Sequence, residues 1–131
     1  EVKGVESLGG GAEPLTVAKT LSRQHGVAAA ITGPVDVVAS GEEALGVENG
    51  HPWLTAITGS GCMATTMVAA FAAVEPDPLL ATAAGLACYG IAAEEAAALA
   101  QGPGSFKVAL MDALYHLRPE QVRESARIRS M

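Results

Sequence analysis

The sequence predicts an α/β fold with an incomplete sheet, and three observations carry that prediction. Short β-like runs crowd into residues 27–58, while the stretches before and after them have helical texture. Breakers at Gly33-Pro34, Asn49-Gly50, "EPDP" and "QGPGS" separate the runs. Apolar residues make up 50% of the 131 but aromatics only 4%, so the core must be built from Ala, Val, Leu and Ile, whose small side chains let helices pack closely.

Taken in order, "GGGA" reads as a flexible linker into a first helix, "EPLTVAKTLSRQHG". Pro14 suits its opening turn, Leu15, Ala18 and Leu21 form its apolar stripe, and Gly26 stops it. "VAAAITG" has the continuous small apolar character of a central strand covered on both faces. "VDVVAS" and "EALGVEN" pair as a hairpin around Gly41, and "HPWLTAIT" follows as another strand.

A helix then runs from Cys62 to about Val74. Asp77 caps the next, with Pro78 as its first residue, and it continues to about Ala100. Ser105 caps "FKVALMDALYHL", and "RPEQVRESARIRSM" gives a final polar helix. A sheet of three or four strands must therefore carry several apolar helices. The neighbours of its first strand are missing from the sequence.

A net charge of −6 with no basic cluster excludes a surface that recruits nucleic acid or anionic membrane through phosphate groups. Cys62 and Cys88 share no CxxC spacing, so neither a disulfide framework nor a zinc knuckle is indicated, and the reducing cytosol suits both. "MATTMVAAFAAV" and "LLATAAGLACYGIAA" are each shorter than the roughly 20 residues of a membrane span and read as buried helices. "EVKGVESLGGG" has no apolar segment of the kind a signal peptide carries, and Glu1 in place of Met suggests a fragment or a processed product.

The densest chemical signal is "TGSGC" at 58–62, in front of a helix. The first N–H groups of a helix have no intrahelical partner, and the helix dipole adds positive charge there, so such an end attracts anions. Gly59 and Gly61 omit the side chains that would keep a phosphate away, Ser60 adds a hydroxyl, and Cys62 puts a thiol where a thiolate is favoured. The plainer alternative is a tight strand-to-helix turn with Ser60 as cap and Cys62 as a small buried hydrophobe. Cys88, inside an apolar helix, reads as structural. No Walker A lysine is present, the three histidines form no metal-ligand set, and Glu94 and Glu95 read as a solvated helix face.

"AITGPVDVV", "NGHPWLTAITGSGCMATTMVAAFAAVEPDPL" and "GPGSFKVALMDAL", in this order and spacing, resemble the C-terminal half of hydroxyethylthiazole kinases of thiamine salvage. The resemblance covers essentially the whole chain and includes a cysteine where most ribokinase-like enzymes carry an aspartate. It implies the C-terminal half of a ribokinase-like fold and Mg2+-dependent transfer of the ATP γ-phosphoryl group to the alcohol of 4-methyl-5-(2-hydroxyethyl)thiazole. By position, Cys62 would act at that alcohol as base or positioning group. The amides of Gly59, Ser60, Gly61 and Cys62 would form the anion hole, Gly59 would contact substrate, and Thr32 would contact ATP.

The resemblance also implies a cytoplasmic trimer with sites between subunits and an N-terminal half that supplies the rest of the sheet and the metal-binding motif. The metal ligands are not legible in this chain. Two other readings remain open from the sequence: a kinase of another small alcohol such as a hydroxymethylpyrimidine, and a non-catalytic nucleotide- or phosphate-binding assembly module.

Overall fold

The first helix of the computed structural model, α1 (Pro14–His25), begins on its proline and stops at Gly26, whose φ of 65° is the left-handed conformation that glycine adopts without steric cost. Residues 13–131 are described; the expected linker at 9–12 lies outside them. The buried stripe of α1 is rotated from the expected one: Ala18 and Ser22 are buried, whereas Leu21 is exposed. Ser22 takes its place because its Oγ accepts a hydrogen bond from the Gly41 N–H at 2.8 Å, tying the helix to the hairpin turn.

The strands β1 (Ala29–Ile31), β2 (Asp36–Ser40), β3 (Glu43–Val47) and β4 (Ile128–Ser130) form one antiparallel sheet in that order. The hairpin of β2 and β3 turns at Gly41 as predicted, with φ at 61° and Val38 opposite Leu45. Period-two alternation divides its side chains between two faces. Val37, Ala39 and Ala44 form one core cluster with Ala18 of α1, and Val38 and Val47 belong to a larger cluster with the helices that follow. β1 is not the central strand expected. It is a three-residue edge strand with Ala30 exposed, because among the described residues β2 alone pairs with it.

"HPWLTAIT" is not a strand either. Pro52–Ala56 forms a 3-10 turn, capped by the His51 side chain, which accepts from the Trp53 N–H at 3.2 Å. Pro52 presets the turn's φ and has no N–H to give to a sheet. Ring centroids 5.0 to 5.9 Å apart pack His51, Trp53 and Phe106 together and hold the turn against the helical layer.

Three longer helices follow: α2 (Ser60–Ala72), α3 (Pro78–Leu99) and α4 (Pro103–His116). Asp77 caps α3 as predicted, its Oδ1 accepting from the Leu79 N–H at 2.9 Å. α4 begins two residues before the expected cap, so Ser105 lies within its first turn, donating to the Gly102 carbonyl and accepting from the Gln101 N–H. The expected final helix is shorter: α5 spans Pro119–Ser125 and the chain then extends into β4. β4 forms because its flanks find partners on and just beyond β3: Arg127 bonds Glu48 and Asn49, Arg129 pairs with Glu48 at 2.7 Å, and the Met131 N–H bonds the Ala44 carbonyl at 3.0 Å.

α3 is buried on nearly every side and is the centre of the core. α2, expected to be buried, fully buries only Ala64 and exposes Ala69, Ala70 and Ala72. Among the described residues no helix is long and apolar enough to cross a membrane. Two glycines let α3 sit where it does. A Cβ on Gly85 would lie 2.8 Å from Val68 Cα in α2, and one on Gly90 would collide with the Asn49 carbonyl.

Both obstacles are backbone, so neither can swing aside. Gly85→Ala is expected to cost about 1–3 kcal/mol of stability, and Gly90→Ala more, by overpacking. Urea unfolding midpoints of the two variants check this, and unchanged midpoints would refute the close approach.

Candidate active site

Gly59 occupies the position before α2 with φ of 92°, a conformation that L side chains rarely adopt. The first bond of the helix runs from the Met63 N–H to the Gly59 carbonyl at 3.0 Å. The N–H groups of Ser60, Gly61 and Cys62 therefore lack intrahelical acceptors, and no side chain caps them. Ser60 is thus not the cap of the plainer reading; it is the first helical residue. A Cβ on Gly61 would meet nothing within 4 Å, so the donors lie on an open backbone surface. Cys62 is exposed rather than buried.

Facing this terminus is a cleft of about 400 Å³ between β1, α2 and α3. Thr32, just past the end of β1, and Gly61 both line it, so the structure brings the predicted nucleotide contact and one residue of the predicted anion hole to one cavity; Gly59, Ser60 and Cys62 are not in its lining. Thr65 and Thr82 also line it and were not singled out in the sequence. Their hydroxyls donate to the carbonyls of Gly61 and Pro78 at 3.0 and 2.7 Å, which leaves oxygen lone pairs as their remaining hydrogen-bonding capacity. The rest of the lining, Ala28, Ala30, Val68 and Leu86 among it, is apolar.

Asp36, another residue that sequence reasoning missed, holds the loop beside Thr32. Its Oδ1 accepts from the Gly33 N–H at 2.9 Å. Burial pushes its carboxyl above the ordinary 3.8, more than this hydrogen bond pulls it down. An aspartate three residues past a Gly-Pro turn was the available signal.

Glu94 and Glu95 are not a solvated face. Glu94 accepts from the Gly50 N–H at 2.8 Å and pairs with Arg127 at 2.5 Å, and Glu95 accepts from Gln121 Nε2 at 2.7 Å. Buried Asn49 completes the cluster, donating from Nδ2 to the Ser125 carbonyl at 2.9 Å and accepting from the Arg127 N–H at 2.7 Å. These bonds anchor the turn that leads through the 3-10 segment into "TGSGC". Cys88 is buried, which pushes its thiol pKa up and keeps it protonated, in keeping with a structural role.

A bare, dipole-favoured helix end beside a cleft of this size can accept a phosphoryl group and the body of a nucleotide. The hydroxyethylthiazole kinase family profile matches residues 1–120. The chain belongs to the hydroxyethylthiazole kinase family. It is 59% identical over 128 residues to a hydroxyethylthiazole kinase of Roseiflexus sp. (strain RS-1), a match covering 98% of this chain and 47% of that relative. With that of Chloroflexus aggregans it shares 54% identity over 127 residues, covering 97% and 46%.

The solved structure of hydroxyethylthiazole kinase from Pyrococcus horikoshii OT3 superposes with a TM-score of 0.85 at 39% identity, covering 89% of this chain and 46% of that one. The chain thus spans about half the length of the curated relatives it matches, and its α/β architecture is a partial ribokinase-like fold.

Among the described residues no three His, Cys, Asp or Glu side chains gather into a group that would hold a metal ion.

A carboxyl raised by burial binds its proton more tightly in the folded than in the unfolded chain, so Asp36 lowers stability as pH climbs from 3.8 through its raised value. Asp36→Asn, which keeps an acceptor for Gly33 but no charge, is expected to flatten that decline. Asp36→Ala is expected to cost about 1 kcal/mol by removing the acceptor. Urea melts across that pH window test both, and parallel profiles for wild type and Asp36→Asn would contradict the assignment.

Proposed function

We propose that this chain is the phosphoryl- and ATP-binding half of a kinase that moves the γ-phosphoryl group of ATP to the primary alcohol of 4-methyl-5-(2-hydroxyethyl)thiazole, a step of thiamine salvage. The observation that supports it most is the uncapped start of α2, with a thiol in its first turn, bordering the same cleft as Thr32. The amides of Gly59, Ser60, Gly61 and Cys62 receive the oxygens of the moving phosphoryl group, and Gly59 also contacts the thiazole. Thr32 contacts the nucleotide.

Cys62 sits at the accepting hydroxyl, orienting it and, as the thiolate, taking its proton to become the thiol. Phosphoryl transfer passes through a loose transition state, in which charge on the equatorial oxygens is large and proton removal comes late. A thiol in place of a carboxylate is therefore sufficient, because fixed N–H dipoles supply most of the stabilisation.

The relatives are about twice as long as the matched region, and an N-terminal half provides the remaining strands beside β1, the rest of the thiazole pocket and the protein ligands of Mg2+. The working enzyme is a cytoplasmic homo-oligomer, expected to be a trimer. Its substrates are small molecules, and neither nucleic acid nor membrane takes part.

The test is to co-express this chain with the N-terminal half of a family member and to assay the thiazole alcohol with Mg-ATP. Turnover is expected from the pair and not from this chain alone. Cys62→Ala is expected to lower kcat about 100-fold, the lower end of what a positioned proton acceptor contributes. Thr32→Ala should raise KM for ATP while changing kcat little. A Cys62→Ala enzyme with normal kcat would sink the catalytic assignment.

A further inference from the structure

A second cleft of about 400 Å³ opens where the C-terminal end of α2 meets α3 and the connection from α4 to α5. Its size falls within the roughly 300–1,000 Å³ of small-molecule sites. Phe71, Cys88, Leu117, Pro119 and Val122 give it apolar walls. The small Cys88 leaves room between Phe71 and α5, and the chain runs extended through Arg118 before Pro119 restarts the helix. The remaining lining is Arg118 and Arg123, both exposed. In a chain with 8 Lys and Arg against 14 Asp and Glu, a cleft lined by two arginines and no carboxylate reverses the local sign of charge. Arg118 has no ion-pair partner among the described residues, and Arg123 pairs only with Glu120 of its own helix, at 3.3 Å. An exposed pair of that kind is worth little, so the guanidinium can exchange it for a better partner at small cost.

We propose that this cleft binds a small aromatic carboxylate. The ring lies among the apolar walls, where the half-buried Phe71 offers it an aromatic partner and Pro119 and Val122 keep water away. Arg118 and Arg123 receive the carboxylate, whose two oxygens match the planar fork of a guanidinium. An inorganic anion would gain nothing from the apolar walls, and an uncharged apolar body would gain nothing from the arginines. The two features together select an amphipathic anion. The cleft is remote from the glycine turn: Phe71 lies ten residues past Gly61 on α2, about 15 Å along the helix axis. It is also bordered by α5, which leads into β4 at the opposite edge of the sheet from β1, where the N-terminal half is proposed to join.

The inference rests on no part of the kinase reading. Isothermal titration calorimetry of the 131-residue chain with 2-naphthoate and with its uncharged amide, 2-naphthamide, tests it. The acid is expected to bind saturably, one per chain, and about tenfold tighter than the amide, the gain that hydrogen bonds to a charged group supply. Arg118→Met and Arg123→Met are each expected to remove most of that preference while changing the affinity for the amide little. Val122→Trp, which fills the cleft, is expected to abolish binding of both compounds with an unchanged circular dichroism spectrum.

Loss of the acid's preference with the amide still bound cannot come from misfolding. The absence of saturable binding, equal affinities for acid and amide, or a preference untouched in both arginine variants would each overturn the proposal, as would binding that survives Val122→Trp. The titration is then repeated on the chain co-expressed with the N-terminal half of a family member. Retained binding supports the site whether or not the pair phosphorylates the thiazole alcohol, and lost binding would mean that the other half covers the cleft, which overturns it.

Discussion

The absence of two side chains in the middle of α3 governs where everything else lies. Gly85 lets the α2 backbone come against α3, and Gly90 lets the Asn49 turn do the same from the sheet side. A methyl group at either place would collide with backbone atoms, which have no rotamer into which to retreat. α2 can therefore lie close beside α3 with its first turn at the cleft next to β1. The turn at Asn49 can start the 3-10 segment at the depth that delivers Gly59 to that place. The candidate site is the product of these two close approaches more than of any residue inside it.

The helix starts are finished differently, and the difference has chemical meaning. Asp77 spends its carboxylate on the first N–H groups of α3, which closes that end to anions. The 3-10 turn is closed by His51 in the same way. α2, like α4, has a glycine where a capping side chain would stand, so its donors remain available to an incoming ligand, and it is the α2 end that borders the cleft next to β1. An uncapped end is tolerable because this one is solvent-facing, where water satisfies the N–H groups until an anion displaces it.

Local chemistry was legible wherever a residue acts on its immediate neighbours. Pro14, Gly26, Gly41 and the Asp77-Pro78 pair mark boundaries within a residue or two because capping and left-handed turns depend only on the nearest few positions. The glycine turn into a helix at "TGSGC" was legible for the same reason. Pattern reading failed where a distant segment decides the outcome. β4 looks polar and helical until Asn49 and Glu94 supply its anchors from 33 to 78 residues away.

Glu94 and Glu95 look like solvent-facing charges on a helix for the same reason: their partners come from elsewhere in the chain. "HPWLTAIT" has the apolar content of a strand, but a proline and an aromatic cluster with Phe106 turn it back on itself. Thr65 and Thr82 acquire meaning only once two helices border one cleft.

The Asn49 cluster also has a consequence for biosynthesis. Gly50 and Asn49 obtain their acceptors and donors from Glu94, Ser125 and Arg127, all made long after the turn itself. On the ribosome, the segment that carries "TGSGC" has its codons read well before the residues that lock it in place exist. The "TGSGC" loop must therefore wait for late-translated sequence before it settles, which leaves the nascent chain without this turn in place until the residues that anchor it have emerged.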